Sequence, residues 1–311
     1  MKNFKALIII LALAFIQMPM SAQKKIKFSK GTLRICSSKN FKITGYSGNE
    51  VIIKSLHGKR SSYKGLVTST SRNLRSNKQS QYSLTYKADT TKKGGFVYYF
   101  SDASRKKGLK KLGKKNENRE LGIYFTIEQK NGELIFMDET PTNGQFVIFG
   151  DEKYEIQVPN SLKIVWETNG CKYNTKTSQS PLFYSSNVSS LSNFSGEVEI
   201  ASTLNNMKLT DVTGPVSINT IGGNVTVEFD KKTPQKLYSI YSNNGFIDIT
   251  LPESSNVMLD AQGSSIYSDI DFKIEEEKEE LGKQQMRLKL KSGNVKMKLN
   301  AGLGNIYLRK K

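Results

Sequence analysis

Gly196-Glu-Val-Glu-Ile-Ala, Met207-Lys-Leu-Thr, Gly214-Pro-Val-Ser-Ile-Asn and Gly223-Asn-Val-Thr-Val-Glu decide the fold. Each sets two apolar side chains one polar residue apart, the period of a strand with one buried face. The pairs Val198/Ile200, Met207/Leu209, Val216/Ile218 and Val225/Val227 follow one another at nine-residue intervals. Between them, Leu204-Asn-Asn, Asp211-Val-Thr-Gly and Ile221-Gly-Gly-Asn supply Gly and Asn, which accept the positive φ that tight corners demand. A unit this short buries only a thin face, so units must stack, and stacked strands make a solenoid. An antiparallel meander with turns at the Asn-Gly pairs is the competing arrangement. Constant polarity and spacing favour the solenoid.

The pattern returns at Asn244-Gly-Phe-Ile-Asp-Ile-Thr-Leu, Gly293-Asn-Val-Lys-Met-Lys-Leu and Gly304-Asn-Ile-Tyr-Leu, so the clearest repeats span 190–311. The segment from Phe194 to Phe229 resembles the adhesin-like family of exported β-strand-repeat proteins. Phe41-Lys-Ile-Thr-Gly-Tyr-Ser-Gly-Asn-Glu-Val-Ile-Ile-Lys looks like that family's opening repeat, Tyr154-Glu-Ile-Gln-Val-Pro like its first inner strand, and Gly304-Asn-Ile-Tyr-Leu-Arg-Lys like its last. The resemblance implies an all-β fold, a right-handed β-solenoid of the single-stranded β-helix type, and an adhesin label with no catalytic residues to carry over.

At the N-terminus, Lys2 and Lys5 precede the apolar run Ala6 to Ile16, followed by Pro19 and Ser21-Ala22. That is the order of a secretory signal peptide, and the run is shorter than the roughly 20 residues of a spanning helix. Residues 1–22 are therefore expected to be removed. The rest, 23–311, is expected to form one elongated β-solenoid that is periplasmic, at the cell surface or extracellular, with no transmembrane segment. Cys36 and Cys171 are the two cysteines. Export allows a disulfide between them, with two buried thiols as the equal alternative.

The formal charge of +19 points to anionic partners: acidic polysaccharide first, then an anionic lipid surface, then extracellular nucleic acid. Its densest source is a basic, irregular insertion at 54–115, with 17 Lys and Arg against Asp89 and Asp102. Such a run repels itself and reads as an exposed decoration of the solenoid. Arg105, Lys106, Lys107, Lys110, Lys111, Lys114 and Lys115 are its candidate ligand-binding residues. A solvated loop without a partner has equal weight. The aromatics Tyr82 to Phe100 in the same span read as strand core before they read as a stacking surface. The acidic run Glu275-Glu-Glu-Lys-Glu-Glu reads as a solvated loop, because the ligand spacing of a calcium loop is missing.

His57 is the sole histidine, which leaves Cys36/His57 as a poor nucleophile–base pair and gives zinc no ligand set. Gly302-Leu-Gly304 is a repeat corner rather than a dinucleotide loop. No dedicated nucleic-acid motif, cofactor site or metal site is expected. Parallel β-helices do host polysaccharide lyases and glycosidases, and that alternative requires two carboxylates in one groove, with Asp248, Asp260, Asp269 and Asp271 as candidates. A structural, self-associating module is the third reading.

Overall fold

The computed structural model describes residues 23–56, 117–138, 147–149, 152–168, 183–185 and 188–311. Strands dominate them, with one four-residue helix, α1 (Glu117–Glu120). Sheet A holds β1 (Gln23–Lys27), β3 (Asn40–Tyr46), β4 (Glu50–Ser55), β8 (Lys153–Pro159), β11 (Ser189–Ser192), β13 (Met207–Thr210), β15 (Val225–Glu228), β17 (Ile247–Leu251), β19 (Ile266–Ser268) and β23 (Ile306–Lys310). Sheet B holds β2 (Thr32–Cys36), β5 (Phe125–Lys130), β6 (Glu133–Asp138), β9 (Lys163–Glu167), β12 (Val198–Thr203), β14 (Val216–Ile221), β16 (Tyr238–Asn243), β18 (Val257–Gly263), β20 (Lys273–Glu280), β21 (Lys283–Leu290) and β22 (Val295–Asn300). The short strands β7 (Val147–Phe149) and β10 (Phe183–Ser185) pair with each other.

From β11 to β17 the chain alternates between the sheets, and each strand pairs in parallel with the strand two places further on. Two nine-residue units therefore make one coil: Val198 faces Val216 in sheet B, and Met207 faces Val225 in sheet A. A meander would pair each strand antiparallel with the next, so it does not describe this stretch. All four apolar pairs are buried, and one continuous core takes in the inward side chains of both sheets.

The corners use glycine differently from the expectation. Positive φ falls on Leu204, Asp211, Gly222 and Asn244, while Gly214 and Gly223 are not in that region. Those glycines are required by the stacking itself. A Cβ on Gly223 would lie 2.2 Å from the Asn205 carbonyl oxygen, one on Gly245 2.1 Å from that of Gly223, and one on Gly304 1.9 Å from that of Gly245. The core is also less uniformly apolar than expected. Ser202, Thr220 and Ser242 form an inward hydroxyl column beside the tight corners, where Ser202 donates to the Asn205 carbonyl (3.2 Å) and Ser242 to that of Gly223 (3.0 Å).

Coil order departs from chain order at both ends. Strands β22 and β23 are last in sequence, yet they sit between β16 and β18 and between β17 and β19. At the other end, β9 lies between β2 and β12, and β8 between β3 and β4. The ends are closed by antiparallel pairs: β1 on β4, β5 on β6, and the β20–β21 hairpin on β18. The acidic run expected as a solvated loop is therefore strand β20. Its residues are exposed apart from half-buried Glu276, but Leu281 and Gly282 supply two successive positive φ angles, the demand of a tight hairpin turn, and cations of β21 face its carboxylates. The expected basic insertion begins within β4, at Lys54; residues 57–116, including His57, lie outside the described residues.

The corner after β2 buries a charged cluster. Lys39 lies 2.5 Å from Glu152 and 3.7 Å from Asp138, and the Ser37 hydroxyl donates to Asp138 at 2.7 Å. Burial pushes the Asp138 carboxyl up to about 6, against the pull of the Lys39 ammonium. Cys36, next to this cluster, is disulfide-bonded; Cys171 lies outside the described residues.

Candidate functional site

The swapped order at the C-terminal end sets β16, β22, β18, β21 and β20 side by side. Burial alternates along β16, β22 and β18, so alternate side chains of those strands face outward, and register carries the same face onto β21. These are Ser239 and Tyr241 on β16, Lys296, Lys298 and Asn300 on β22, Met258, Asp260 and Gln262 on β18, and Gln285, Arg287 and Lys289 on β21. Register aligns them in rows that run across the strands. Tyr241, Asn300, Gln262, Gln285 and Lys278 form one row, and Ser239, Lys298, Asp260, Arg287 and Glu276 the next. A third row runs through Lys296, Met258, Lys289 and Lys273. The first two rows line a shallow groove of about 560 Å³.

Charge is distributed unevenly over this face. Arg287 is held between Asp260 (2.8 Å) and Glu276 (3.1 Å), and Lys278 pairs with Glu276 (2.5 Å). Lys273 and Lys289 share Glu275, at 2.9 and 4.0 Å. Among the described residues, Lys296 and Lys298 make no ion pair, so β22 presents two uncompensated ammonium groups to solvent. Beside them, Asn300 donates to Gln262 (3.1 Å), which orients an amide row able to give and take hydrogen bonds with hydroxyl groups.

Two of the four aspartates considered for catalysis, Asp248 and Asp269, act on the same Arg309, while Asp260 lies on the other sheet. Asp248 lies on sheet A, where Arg309 donates to it at 2.9 Å, and Asp260 lies on sheet B. Asp269 accepts the Lys310 amide at 2.5 Å, and Asp271 is exposed beyond β19. The carboxylates that do share the groove are Asp260 and Glu276. The Lys278 ammonium, and then Arg287, hold the Glu276 carboxyl below the usual carboxylate range, the opposite of what a general acid needs. Among the described residues, no group of His, Cys, Asp or Glu is arranged to hold a metal ion, and no helix is long and apolar enough to cross a membrane. Arg105, Lys106, Lys107, Lys110, Lys111, Lys114 and Lys115 lie outside the described residues. The β22 lysines had a readable signal in Val295-Lys-Met-Lys-Leu, where alternation alone puts both cations outward. Their convergence with β21 depended on strand order, which alternation does not encode.

Residues 184–309 match the family model described as Toastrack DUF4097. No curated protein matches the chain. Two solved structures resemble it along most of its length. A putative cell adhesion protein from Clostridium sporogenes is 10% identical, with a TM-score of 0.40, over 93% of this chain and 99% of that one. A putative adhesin from Bacteroides fragilis is 12% identical, with a TM-score of 0.40, over 93% of this chain and 96% of that one. This is an all-β strand-repeat protein whose C-terminal coils are similar to the Toastrack family.

Proposed function

We propose that this chain is an exported, non-catalytic, adhesin-like protein that holds anionic polysaccharide against the outer face of sheet B. The observation that carries the reading is the pair of unpaired ammonium groups, Lys296 and Lys298, beside the polar row of the Tyr241 phenol and the Asn300, Gln262 and Gln285 amides. Stacked coils keep such rows rigid, which lowers the entropic cost of engaging an extended polymer. The overall charge of +19 favours the same partners, and the basic run Arg105 to Lys115 is a second contact for them. The stacked coils are read as a right-handed solenoid, because connections between parallel strands of one sheet take that hand in nearly all proteins. Open-ended self-assembly is disfavoured at two of the four edges of the large sheets: β1 carries Lys24, Lys25 and Lys27, and β20 carries a bulge and five Glu.

The test is an array of anionic and neutral glycans and anionic vesicles, probed at two salt concentrations with wild type, Lys296→Gln/Lys298→Gln and a deletion of 105–115. Binding to acidic glycans that fades with salt and weakens in the variants supports the reading. Binding unchanged by both variants, or confined to vesicles, refutes it, and released reducing ends or unsaturated products would restore the lyase or glycosidase alternative.

A further inference from the structure

The buried cluster at the corner after β2 takes no part in the outer face of sheet B. Three segments of the chain meet there: Lys39 follows β2, Asp138 ends β6 and Glu152 precedes β8. All three side chains are buried, so one ammonium group shares its site with two carboxyl groups. Charging both carboxyls would leave net negative charge away from water, and the cost is relieved when one of them keeps its proton. Asp138 keeps its proton well above the ordinary carboxyl range, because burial pushes it up to about 6. Its two oxygens are fixed: the Ser37 hydroxyl donates to Oδ1 at 2.7 Å and the Ser38 amide to Oδ2 at 3.3 Å. Lys39 Nζ lies 3.7 Å from Oδ1, close to the roughly 3 to 3.5 Å from which bound groups react. Glu152 accepts from the same Nζ at 2.5 Å and from the Tyr154 hydroxyl at 3.3 Å. Phe41, Phe125, Tyr154 and Trp166 pack against one another beside the cluster, and Trp166 Nε1 donates to the Ser37 carbonyl at 3.1 Å.

An amine, a carboxyl that holds its proton and a second carboxylate able to take one are the parts of an amide-forming reaction in a site shielded from water. We infer that Lys39 and Asp138 join autocatalytically in an isopeptide bond, with Glu152 as the proton acceptor. The Lys39 ammonium passes one proton to Glu152, and the freed lone pair forms the bond from Nζ to Asp138 Cγ. The bond from Cγ to the carboxyl hydroxyl then breaks. That hydroxyl leaves as water with a second proton from the nitrogen, and the third proton stays on the amide. The Ser37 hydroxyl donates to Oδ1, where charge gathers as the carbon becomes tetrahedral. The reaction needs no oxidant or other reactant, and it neutralises the buried charges of Lys39 and Glu152, which are costly to keep from water. The bond would tie the corner after β2 to the end of β6, the strand between β2 and the edge strand β5, and so anchor that end of sheet B. The structure shows the open form, in which Asp138 still titrates. The bond does not involve the outer face of sheet B, and its presence is independent of what that face binds.

The experiment is intact mass spectrometry and peptide mapping of the folded protein after incubation at a pH near the Asp138 midpoint of about 6. Wild type is expected to weigh one water less than its sequence and disulfide require, and digestion is expected to release a branched peptide joining the Lys39 and Asp138 segments. Lys39→Arg and Asp138→Ala are expected to keep the full mass and to yield no branch. Glu152→Gln, checked for folding by circular dichroism, is expected to close the bond at least about a hundredfold more slowly, the loss of one proton-transfer group. Folded wild type that keeps its full mass and gives no branched peptide overturns the inference, and this result is decisive even where a variant fails to fold. A loss of water that persists in Lys39→Arg also overturns it, because the water then comes from elsewhere in the chain. Closure of the bond in Glu152→Gln at the wild-type rate overturns the role given to Glu152.

Discussion

Replacing Gly245 by Ala tests the stacking at its tightest kind of contact. The added Cβ would lie 2.1 Å from the Gly223 carbonyl oxygen of the preceding coil and 2.6 Å from the Ser242 hydroxyl. Folded proteins essentially never show Cβ contacts under 3.0 Å, so the coils must separate by roughly 0.9 Å. The opposing atom is backbone, and no side-chain rotation relieves the clash. Separation strains the parallel bonds of β17 to β15 below and of β17 to β23 above. Overpacking a tight interior costs about 1 to 3 kcal/mol, and the absence of a flexible neighbour puts this site at the upper end. At about 2 to 4 °C per kcal/mol for a domain of this size, melting is expected to fall by roughly 6 to 12 °C. Gly282→Ala is the control: its φ is +70° and nothing lies within 4 Å, so only the left-handed backbone penalty of about 1 kcal/mol applies. Thermal unfolding followed by circular dichroism compares the two. Equal losses would mean that the coils do not approach as described.

Three further outcomes follow from individual residues. Ile218 lies between Ile200 and Ile240 in the sheet B ladder, and Ile218→Ala is expected to cost about 3 kcal/mol by urea denaturation, whereas outward Ser217→Ala stays within about 0.5 kcal/mol. Leu204 holds φ 59° at a corner, so Leu204→Asn, with a side chain that tolerates this region, is expected to raise stability by up to about 1 kcal/mol; a loss would place the Leu204 side chain in a stabilising contact. Asp138, raised to about 6 in the fold from an ordinary 3.8, holds its proton there longer than in the unfolded chain. Its contribution is therefore present below about pH 4 and lost as pH rises through about 6, a change of about 3 kcal/mol, and Asp138→Asn is expected to remove that part of the pH profile. Parallel profiles for the two proteins would refute the assignment.

Alternation and spacing made the repeat legible, because a strand with one buried face has no choice about which side chains point inward. The pairs from Val198/Ile200 to Val225/Val227 are buried as read. Spacing did not reveal that alternate units serve opposite sheets, since both sheets bury the same residue types. The roles of Gly214 and Gly223 were misread for a related reason: close approach and positive φ both select glycine, and a sequence shows only the selection. Strand order at the ends was beyond local pattern altogether. The position of β22 between β16 and β18 is a long-range choice, and it is what brings Lys296, Lys298 and Lys289 onto one face. The acidic run was weighed only as a calcium loop or a solvated loop, and its strand shows only once Lys and Arg on β21 are placed opposite it.

The parallel, in-register coil is tested most directly by two pairs of engineered cysteines. Ala201 and Asn219 are exposed register partners on β12 and β14, whereas Ala201 and Thr210 are the partners a hairpin at Asn205-Asn206 would create. Disulfides form when Cα atoms lie within about 4.4 to 6.8 Å, a distance met by neighbours in one sheet and not by residues on the outer faces of two. Under mild oxidation, peptide mass spectrometry should find the 201–219 bridge formed and the 201–210 pair reduced. A 201–210 bridge in folded protein, with 201–219 left open, would contradict the stacked coils and the binding face they support.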